Sequence, residues 1–194
     1  MARPREFDVD EALDAAMQVF WEKGYQGSSL SELLKAMKIA RGSLYKAFKD
    51  KRSIYLLALE RYEQKIVDDA LAALEDQSNG TLIERVRNLL MRAVIAVEDT
   101  GDRRGCLLCN AAVDLLPGDP ETRGIVYQMV HKIEIALDRV ITSYGSDNGW
   151  SVNKCERLAL MINTNYMGLR MMAKAGYSSE QLRKIIDETL NVLK

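Results

Sequence analysis

Two short helical patterns separated by a tight turn, within residues 28–51, constrain the fold of this chain more than any other feature. Ser29 followed by Glu32 is the pattern of a capping box, which predicts the start of a short amphipathic helix. A second pattern begins near Arg41 and keeps apolar residues on one face as far as Phe48. Short helices in this arrangement are typical of a helix-turn-helix, whose second helix enters the major groove of DNA.

Positive charge is concentrated in the same segment. Residues 35–52 contain seven lysines and arginines and one acidic residue, so they carry +6, whereas the whole chain carries −1 and the remainder therefore −7. A basic patch on an otherwise acidic chain suits contact with a phosphate backbone. The alternative is a solvated helix face without a partner, which charge runs often are.

The rest of the chain shows apolar residues at helical spacing and no run that alternates with period two, so we expect an all-α protein. The pattern divides into nine helices, three small ones in an N-terminal head and six larger ones in a body. We place a helix-turn-helix DNA-binding domain at residues 1–55 and a ligand-binding and dimerisation domain at residues 56–194. A long fourth helix that begins after Asp50 is expected to connect them.

Signals at helix ends give further specific predictions. Asp8 and Glu11 predict a second capping box at the start of the first helix, and Gly24 predicts where this helix stops. Pro120, which follows an aspartate, predicts the first position of the seventh helix. We expect that helix to end near Tyr144.

Several function classes find no support in the sequence. The chain shows no secretory signal and no apolar run of about 18 residues, so we expect a cytoplasmic protein without a membrane partner. The number of cysteines is odd, which disfavours a closed disulfide framework. No Ser-His-Asp set and no glycine-rich phosphate loop is evident, so we expect neither an enzyme nor a bound cofactor.

The N-terminal segment resembles the tetracycline-repressor (TetR) family of bacterial transcription regulators. The resemblance covers about residues 9–60 and includes the run GSLYKAFKDK at 42–51. The residues that carry it are Ala15, Phe20, Gly24, Tyr25, Ser28, Leu30, Leu33, Ile39, Gly42, Ser43, Leu44, Tyr45, Phe48, Lys49 and Lys51. A second segment, 104–114, looks like the start of the sixth helix in a branch of the family that has a Gly-Cys-Leu signature.

This resemblance implies a homodimer that binds a near-palindromic operator and is released by a small molecule. On the matching positions, the residues facing base edges would be Arg41, Gly42, Ser43 and Lys46, and those holding phosphates would be Ser29, Tyr45, Lys49 and Lys51. The residue chemistry agrees, because arginine can donate two hydrogen bonds to guanine, whereas tyrosine and lysine bind phosphates without reading sequence. The basic arm at 3–5 either reaches the minor groove or has no fixed structure.

Cys106 is the strongest candidate for reactive chemistry. It follows Arg103 and Arg104 and is expected at a helix N-terminus, where the helix dipole and the two arginines would favour the thiolate. Cys109 lies one turn further, so the pair is a candidate sensor of electrophiles or oxidants. Two alternatives stay open: the cysteines are small buried hydrophobes, or they bind a metal together with Cys155.

A pocket for an organic inducer needs apolar walls and a few polar groups. The candidate ligand-binding residues are Met91, Cys106, Asn110, Asp114, Tyr127, His131, Met161, Asn165 and Tyr166. For the methionines the alternative is ordinary core packing. His131 and Glu134 supply only two of the three or four ligands that a metal site needs, so we expect no metal there.

The last two helices carry apolar residues on more than one face. One stripe is expected to fill the core and the other to meet a partner, which gives a homodimer with a four-helix interface. The combined expectation is a ligand-responsive repressor of double-stranded operator DNA, released by a small molecule or by thiol modification. An activator or a metal sensor on the same fold is an alternative, and so is a thiol-dependent enzyme that uses Cys106 and Cys109.

Overall fold

The computed structural model describes residues 7–114 and 119–193. The basic arm at 3–5 and the chain break expected at 117–118 lie outside these residues. The described residues form nine α-helices and no strand, which confirms the all-α prediction. The helices are α1 (Val9–Gly27), α2 (Leu30–Met37), α3 (Arg41–Phe48), α4 (51–75), α5 (Leu82–Thr100), α6 (Leu107–Asp114), α7 (Pro120–Asp147), α8 (Val152–Lys174) and α9 (Ser179–Asn191).

Most of the predicted helix starts are confirmed. The Ser29 side chain accepts from the Glu32 backbone amide at 3.2 Å, and the Glu32 carboxylate accepts from the Ser29 amide at 2.8 Å, so the capping box is complete. Asp50 caps α4 by accepting from the Ser53 amide at 2.7 Å. Pro120 occupies the first turn of α7, as predicted.

The first helix begins after Asp8 as predicted, but its predicted capping box is incomplete. Asp8 accepts from the amides of Asp10 and Glu11, but among the described residues no return bond from Glu11 to the Asp8 amide forms, so this capping box is only half made. Gly24 interrupts the helix where the stop was predicted: it adopts the non-helical φ 70° and ψ 176°, and a separate short turn follows the kink as far as Gly27. A left-handed φ of this kind is one that glycine adopts without steric cost.

The seventh helix runs to Asp147 and not to Tyr144, because Gly145 is used for close packing rather than for a turn. A Cβ atom at this position would lie 2.6 Å from the sulfur of Cys155, which belongs to α8. The glycine therefore lets α7 and α8 approach each other closely over their long contact.

One hydrophobic core continues from the head into the body. The most deeply buried side chains of the head include Phe20, Leu33, Leu44 and Ile54, and those of the body include Leu90 and Leu107. Helix α4 passes through both parts, so the predicted domain boundary at residues 55 and 56 falls inside a helix.

No helix in the described ranges has the length and apolar character to cross a membrane.

Helix α4 contains a wide turn at Glu63–Val67, where the hydrogen bonds follow the π pattern. The Asp68 amide donates to the Glu63 carbonyl, five residues earlier. Such π-turns are rare and occur frequently at functional sites. The turn directly follows Tyr62, which is almost fully buried.

Lys38 lies between the two helices of the helix-turn-helix in a left-handed conformation, with φ 55° and ψ 38°. Replacing Lys38 by glycine is expected to raise the free energy of unfolding by about 0.5–1 kcal/mol, because glycine removes the Cβ clash at a helix C-cap. Urea denaturation measures this change. The matched control is Lys35→Gly inside α2, which should lower stability by about 1 kcal/mol. An equal loss for both variants would contradict the prediction.

Candidate DNA interface and thiol site

Helix α3 buries one side and exposes the other. Leu44 and Phe48 point into the head, whereas Arg41, Gly42 and Lys46 are exposed. The exposed face therefore contains the positions that were predicted to face base edges, with Ser43 half-buried beside them. A Cβ atom at Gly42 would meet nothing within 4 Å, so the backbone there is open to a close approach.

The predicted phosphate-binding residues fall into two groups. Tyr45 is 50% exposed and Lys49 is exposed as well. Lys51, in contrast, donates from Nζ to the Tyr25 carbonyl at 2.6 Å and lies 4.4 Å from the centre of the Tyr25 ring. The Ser29 hydroxyl is engaged in the cap of α2. Contact of these four residues with phosphate stays a prediction.

A cavity of about 280 Å³ opens between α1, α6 and α8. Three of the predicted ligand-binding residues, Cys106, Asn110 and Asp114, line it. Its other lining residues are Glu22, Lys23, Gly24, Gly105, Cys109, Val113, Arg170, Met171 and Lys174. It combines a thiol pair with charged groups of both signs.

The other predicted ligand-binding residues lie elsewhere. Tyr127 and His131 line an outer groove of about 520 Å³ between α4 and α7, and Met161 and Asn165 line a groove of about 410 Å³ between α8 and α9. Met91, on α5, accepts from Arg183 at 3.7 Å, and Tyr166 is buried beside Arg170. The nine candidates therefore do not share one pocket in the described part of the chain.

The described ranges hold no group of three or more His, Cys, Asp and Glu side chains that is arranged to bind a metal ion. His131 Nδ1 lies 3.9 Å from Glu134 Oε2, on an exposed part of α7. Cys155 packs against Gly145 in the body and does not line the cavity that contains Cys106.

Cys106 lies immediately before α6 and is 3% exposed. The hydroxyl of Tyr62 donates to its sulfur at 3.6 Å. Interaction with the neighbouring Cys109 thiol and the positive charge of Arg170 lower the pKa of the Cys106 thiol, and they outweigh the effect of burial. The same interaction and burial raise the pKa of Cys109, whose thiol donates to the sulfur of Met167 at 3.7 Å. Cys106 is thus the sulfur that ionises first.

The arginines expected to favour the thiolate have other partners. Arg103 donates to the carbonyls of Ala173 at 3.0 Å and Tyr177 at 3.1 Å. Arg104 pairs with Asp102 at 2.7 Å. The positive side chain that acts on Cys106 is Arg170, from α8, so the prediction that the two preceding arginines activate the thiol is wrong.

Asp114, the last residue of α6, connects the cavity to the head. One carboxylate oxygen accepts from the Tyr25 amide at 3.2 Å, directly after the bend at Gly24. The Tyr25 carbonyl in turn accepts from Lys51, at the start of α4. The helix that follows Cys106 is therefore hydrogen-bonded to the DNA-binding head.

Replacing Asp114 by alanine is expected to lower the free energy of unfolding by about 1–2 kcal/mol, because a partly buried amide of Tyr25 loses its acceptor. Chemical denaturation measures the loss. Asp114→Asn keeps an acceptor oxygen and should lose less than half as much. Equal losses would show that the hydrogen bond contributes little.

Comparison with known proteins places this architecture in a family. The family model for "Bacterial regulatory proteins, tetR family" matches residues 12–58. The chain is 30% identical to the uncharacterized HTH-type transcriptional regulator YezE of Bacillus subtilis (strain 168), and the alignment covers 100% of both chains. The chain belongs to the TetR family of transcriptional regulators. The resemblance stated from the sequence is thereby confirmed, while membership of the Gly-Cys-Leu branch stays a prediction.

Two further family members are informative. The chain is 26% identical to the HTH-type transcriptional repressor ComR of Escherichia coli (strain K12), over 98% of this chain and 90% of ComR. A cysteine mutant of the TetR family regulator CifR, complexed with 26-base-pair double-strand operator DNA, is 29% identical. That structure matches with a TM-score of 0.86 and covers 98% of each chain. Regulators of this family are not normally enzymes.

Proposed function

We propose that this protein is a homodimeric transcriptional repressor that binds a near-palindromic operator through α3 and is released by a small molecule or by modification of Cys106. The exposed basic face of α3, on the fold that CifR uses in its operator complex, carries this proposal. The relative ComR is a transcriptional repressor by name, which supports repression rather than activation for this protein. Since its target is chromosomal DNA, we infer that the protein acts in the cytoplasm.

The dimer is proposed to form through α8 and α9. Leu160 and Met171 are 55% and 52% exposed on α8, and Val192, just after α9, is 36% exposed. Gly168 lies between the first two on the same face, and a Cβ atom there would meet nothing within 4 Å. An apolar stripe that includes a small residue suits close contact with a second helix pair.

The release step is proposed to begin in the cavity between α1, α6 and α8. Its thiol pair lies at the start of α6, and Asp114 at the end of α6 holds the Tyr25 amide of the head. A change in the packing of α6 would therefore shift Asp114 and the hydrogen bond that it forms with the head. Altered spacing between the two recognition helices would weaken binding, because half-sites lie about 34–36 Å apart.

The test is to select fragments of genomic DNA with the purified protein and to titrate the best fragment with and without iodoacetamide. We expect one near-palindromic site, bound by a dimer, whose affinity falls after alkylation. Iodoacetamide should leave the operator affinity of Cys106→Ser unchanged from its own untreated value, whereas the control Cys155→Ser should respond to the reagent as the unmodified sequence does. Failure to select any site would contradict the repressor proposal, and tight binding that alkylation leaves unchanged would contradict the thiol route.

A further inference from the structure

Within the described ranges, Arg170 is a buried cation without a carboxylate partner. Its residue is 8% exposed, and among the described residues it forms no ion pair. Its guanidinium donates to the Tyr62 hydroxyl at 3.2 Å, the Gly105 carbonyl at 3.3 Å and the Tyr166 hydroxyl at 3.4 Å. The Nε atom is buried and has no hydrogen-bond partner within the described part of the chain. A charge in such a place is costly unless an opposite charge is close.

Only a few nearby groups can supply that opposite charge. Phenols are weaker acids than thiols, and burial raises the pKa of the Tyr62 phenol further. The Asp102 carboxylate has a lowered pKa, mainly through its hydrogen bond with Arg104 and partly through the charge of Arg170. It forms its ion pair with Arg104 and not with Arg170. Of the two thiols near Arg170, Cys109 donates to the sulfur of Met167 at 3.7 Å. Cys106 therefore remains, since its sulfur accepts from the same Tyr62 hydroxyl that Arg170 contacts.

The other charged groups around the cavity have their own partners or lie in solvent. Lys23 pairs with Glu32, and Lys174 donates to the Asn110 side chain at 2.7 Å. Asp114 accepts from the Tyr25 amide. Glu22 is exposed. None of them replaces Cys106 as the partner of the buried guanidinium.

We propose that the Cys106 thiolate is the buried counter-ion of Arg170, and that the protein responds to electrophiles that convert this thiolate into a neutral adduct. This inference rests on the proposed function and specifies the chemical class of its inducer. With an alkyl halide, the sulfur forms a bond to carbon and the halide leaves with the electron pair of the broken bond. No proton is released, because the sulfur is already ionised.

The trigger is then the loss of charge rather than the added bulk. After a neutral adduct forms, Arg170 is left as an uncompensated cation in the core. Its hydrogen-bond partners include Tyr62, directly before the π-turn of α4, and the carbonyl of Gly105, next to α6. The loss of charge at Cys106 therefore alters contacts of both α4 and α6, the two helices that lead to the head. Arg170 acts as a positioning residue through these contacts.

Two reagents of almost equal size separate charge from bulk. Iodoacetamide leaves a neutral carbamoylmethyl group on sulfur, whereas iodoacetate leaves a carboxylate that restores a negative charge beside Arg170. The experiment uses the Cys109→Ser, Cys155→Ser protein. The first substitution removes a competing thiol but keeps a hydroxyl that can donate to Cys106, and the second removes the remaining thiol. Mass spectrometry confirms complete modification of Cys106 before operator affinity is measured.

We expect iodoacetamide to weaken operator binding at least tenfold and iodoacetate to weaken it less than threefold. Equal weakening by both reagents would overturn the inference, because bulk alone would then explain release. Operator binding that neither reagent weakens would overturn it as well, but would leave DNA recognition intact. Absence of operator binding by the unmodified protein would instead contradict the proposed function.

The pH profile of alkylation gives a second, independent readout. In Arg170→Met the midpoint of the Cys106 alkylation rate should move to higher pH, and in Arg170→Lys it should stay close to that of the original sequence. Circular dichroism establishes that each variant is folded. An unchanged midpoint in folded Arg170→Met would overturn the inference, and the comparison of the two reagents needs no Arg170 variant.

Discussion

Replacing Phe20 by alanine is expected to lower the free energy of unfolding by about 3–5 kcal/mol, the largest effect of any change considered for this protein. The ring is fully buried, so its removal loses apolar contacts and leaves a cavity. Its centre lies 5.0 Å from the Tyr55 ring in an edge-on arrangement and 6.3 Å from the Tyr25 ring. These contacts join α1 to α4, the helix that connects head and body.

Urea denaturation measures the loss in Phe20→Ala. The matched control is Val113→Ala in α6, because Val113 is 74% exposed and its truncation should change stability by less than about 0.5 kcal/mol. A loss below about 1 kcal/mol for Phe20→Ala would mean that the head closes around the missing ring. Operator affinity should fall together with stability, since α1 supports the helix-turn-helix.

Replacing Arg41 by alanine is expected to weaken binding to the selected operator about 10- to 100-fold, which corresponds to a bidentate contact with guanine worth about 1–3 kcal/mol. Arg41 is the first residue of α3 and its side chain is exposed. Among the described residues it forms no ion pair, so binding DNA would break none there. Discrimination at one base position should be lost along with the affinity.

Fluorescence anisotropy with the operator and with single-base variants measures both effects. Arg139→Ala is the matched control, since Arg139 is an exposed arginine of α7 that pairs with Glu75 at 2.6 Å. It should leave operator affinity within about twofold. Uniform weakening on every DNA sequence after Arg41→Ala would show that the residue binds a phosphate and does not read a base.

The helices were predictable because their signals are local. Capping residues such as Ser29, Asp50 and Pro120 mark helix starts within a few residues, and apolar spacing marks the rest. Gly145 was misread because a glycine permits a close contact as well as a stop. Only the neighbouring helix decides among these uses, and it is distant in the sequence.

The thiol site was predictable only in part. The pair Cys106 and Cys109 was evident from its spacing, but the contacts with Tyr62 and Arg170 join segments far apart in the chain. One signal was present: Arg170 follows Tyr166 by four residues, and so continues an apolar stripe of α8 where a charge is unusual. The separation of Tyr127 and Met161 from the cavity depends on packing and had no comparable signal.

The π-turn at Glu63–Val67 also bears on how relatives of this chain are aligned. A wide turn accommodates one residue more than an α-helical turn, so a helix can gain or lose a residue there while the faces on either side keep their directions. Elsewhere in α4 a single insertion would rotate everything beyond it by about 100°. A one-residue gap that an alignment places at 63–67 therefore marks the gain or loss of the wide turn, and leaves the orientation of the head relative to the body unchanged.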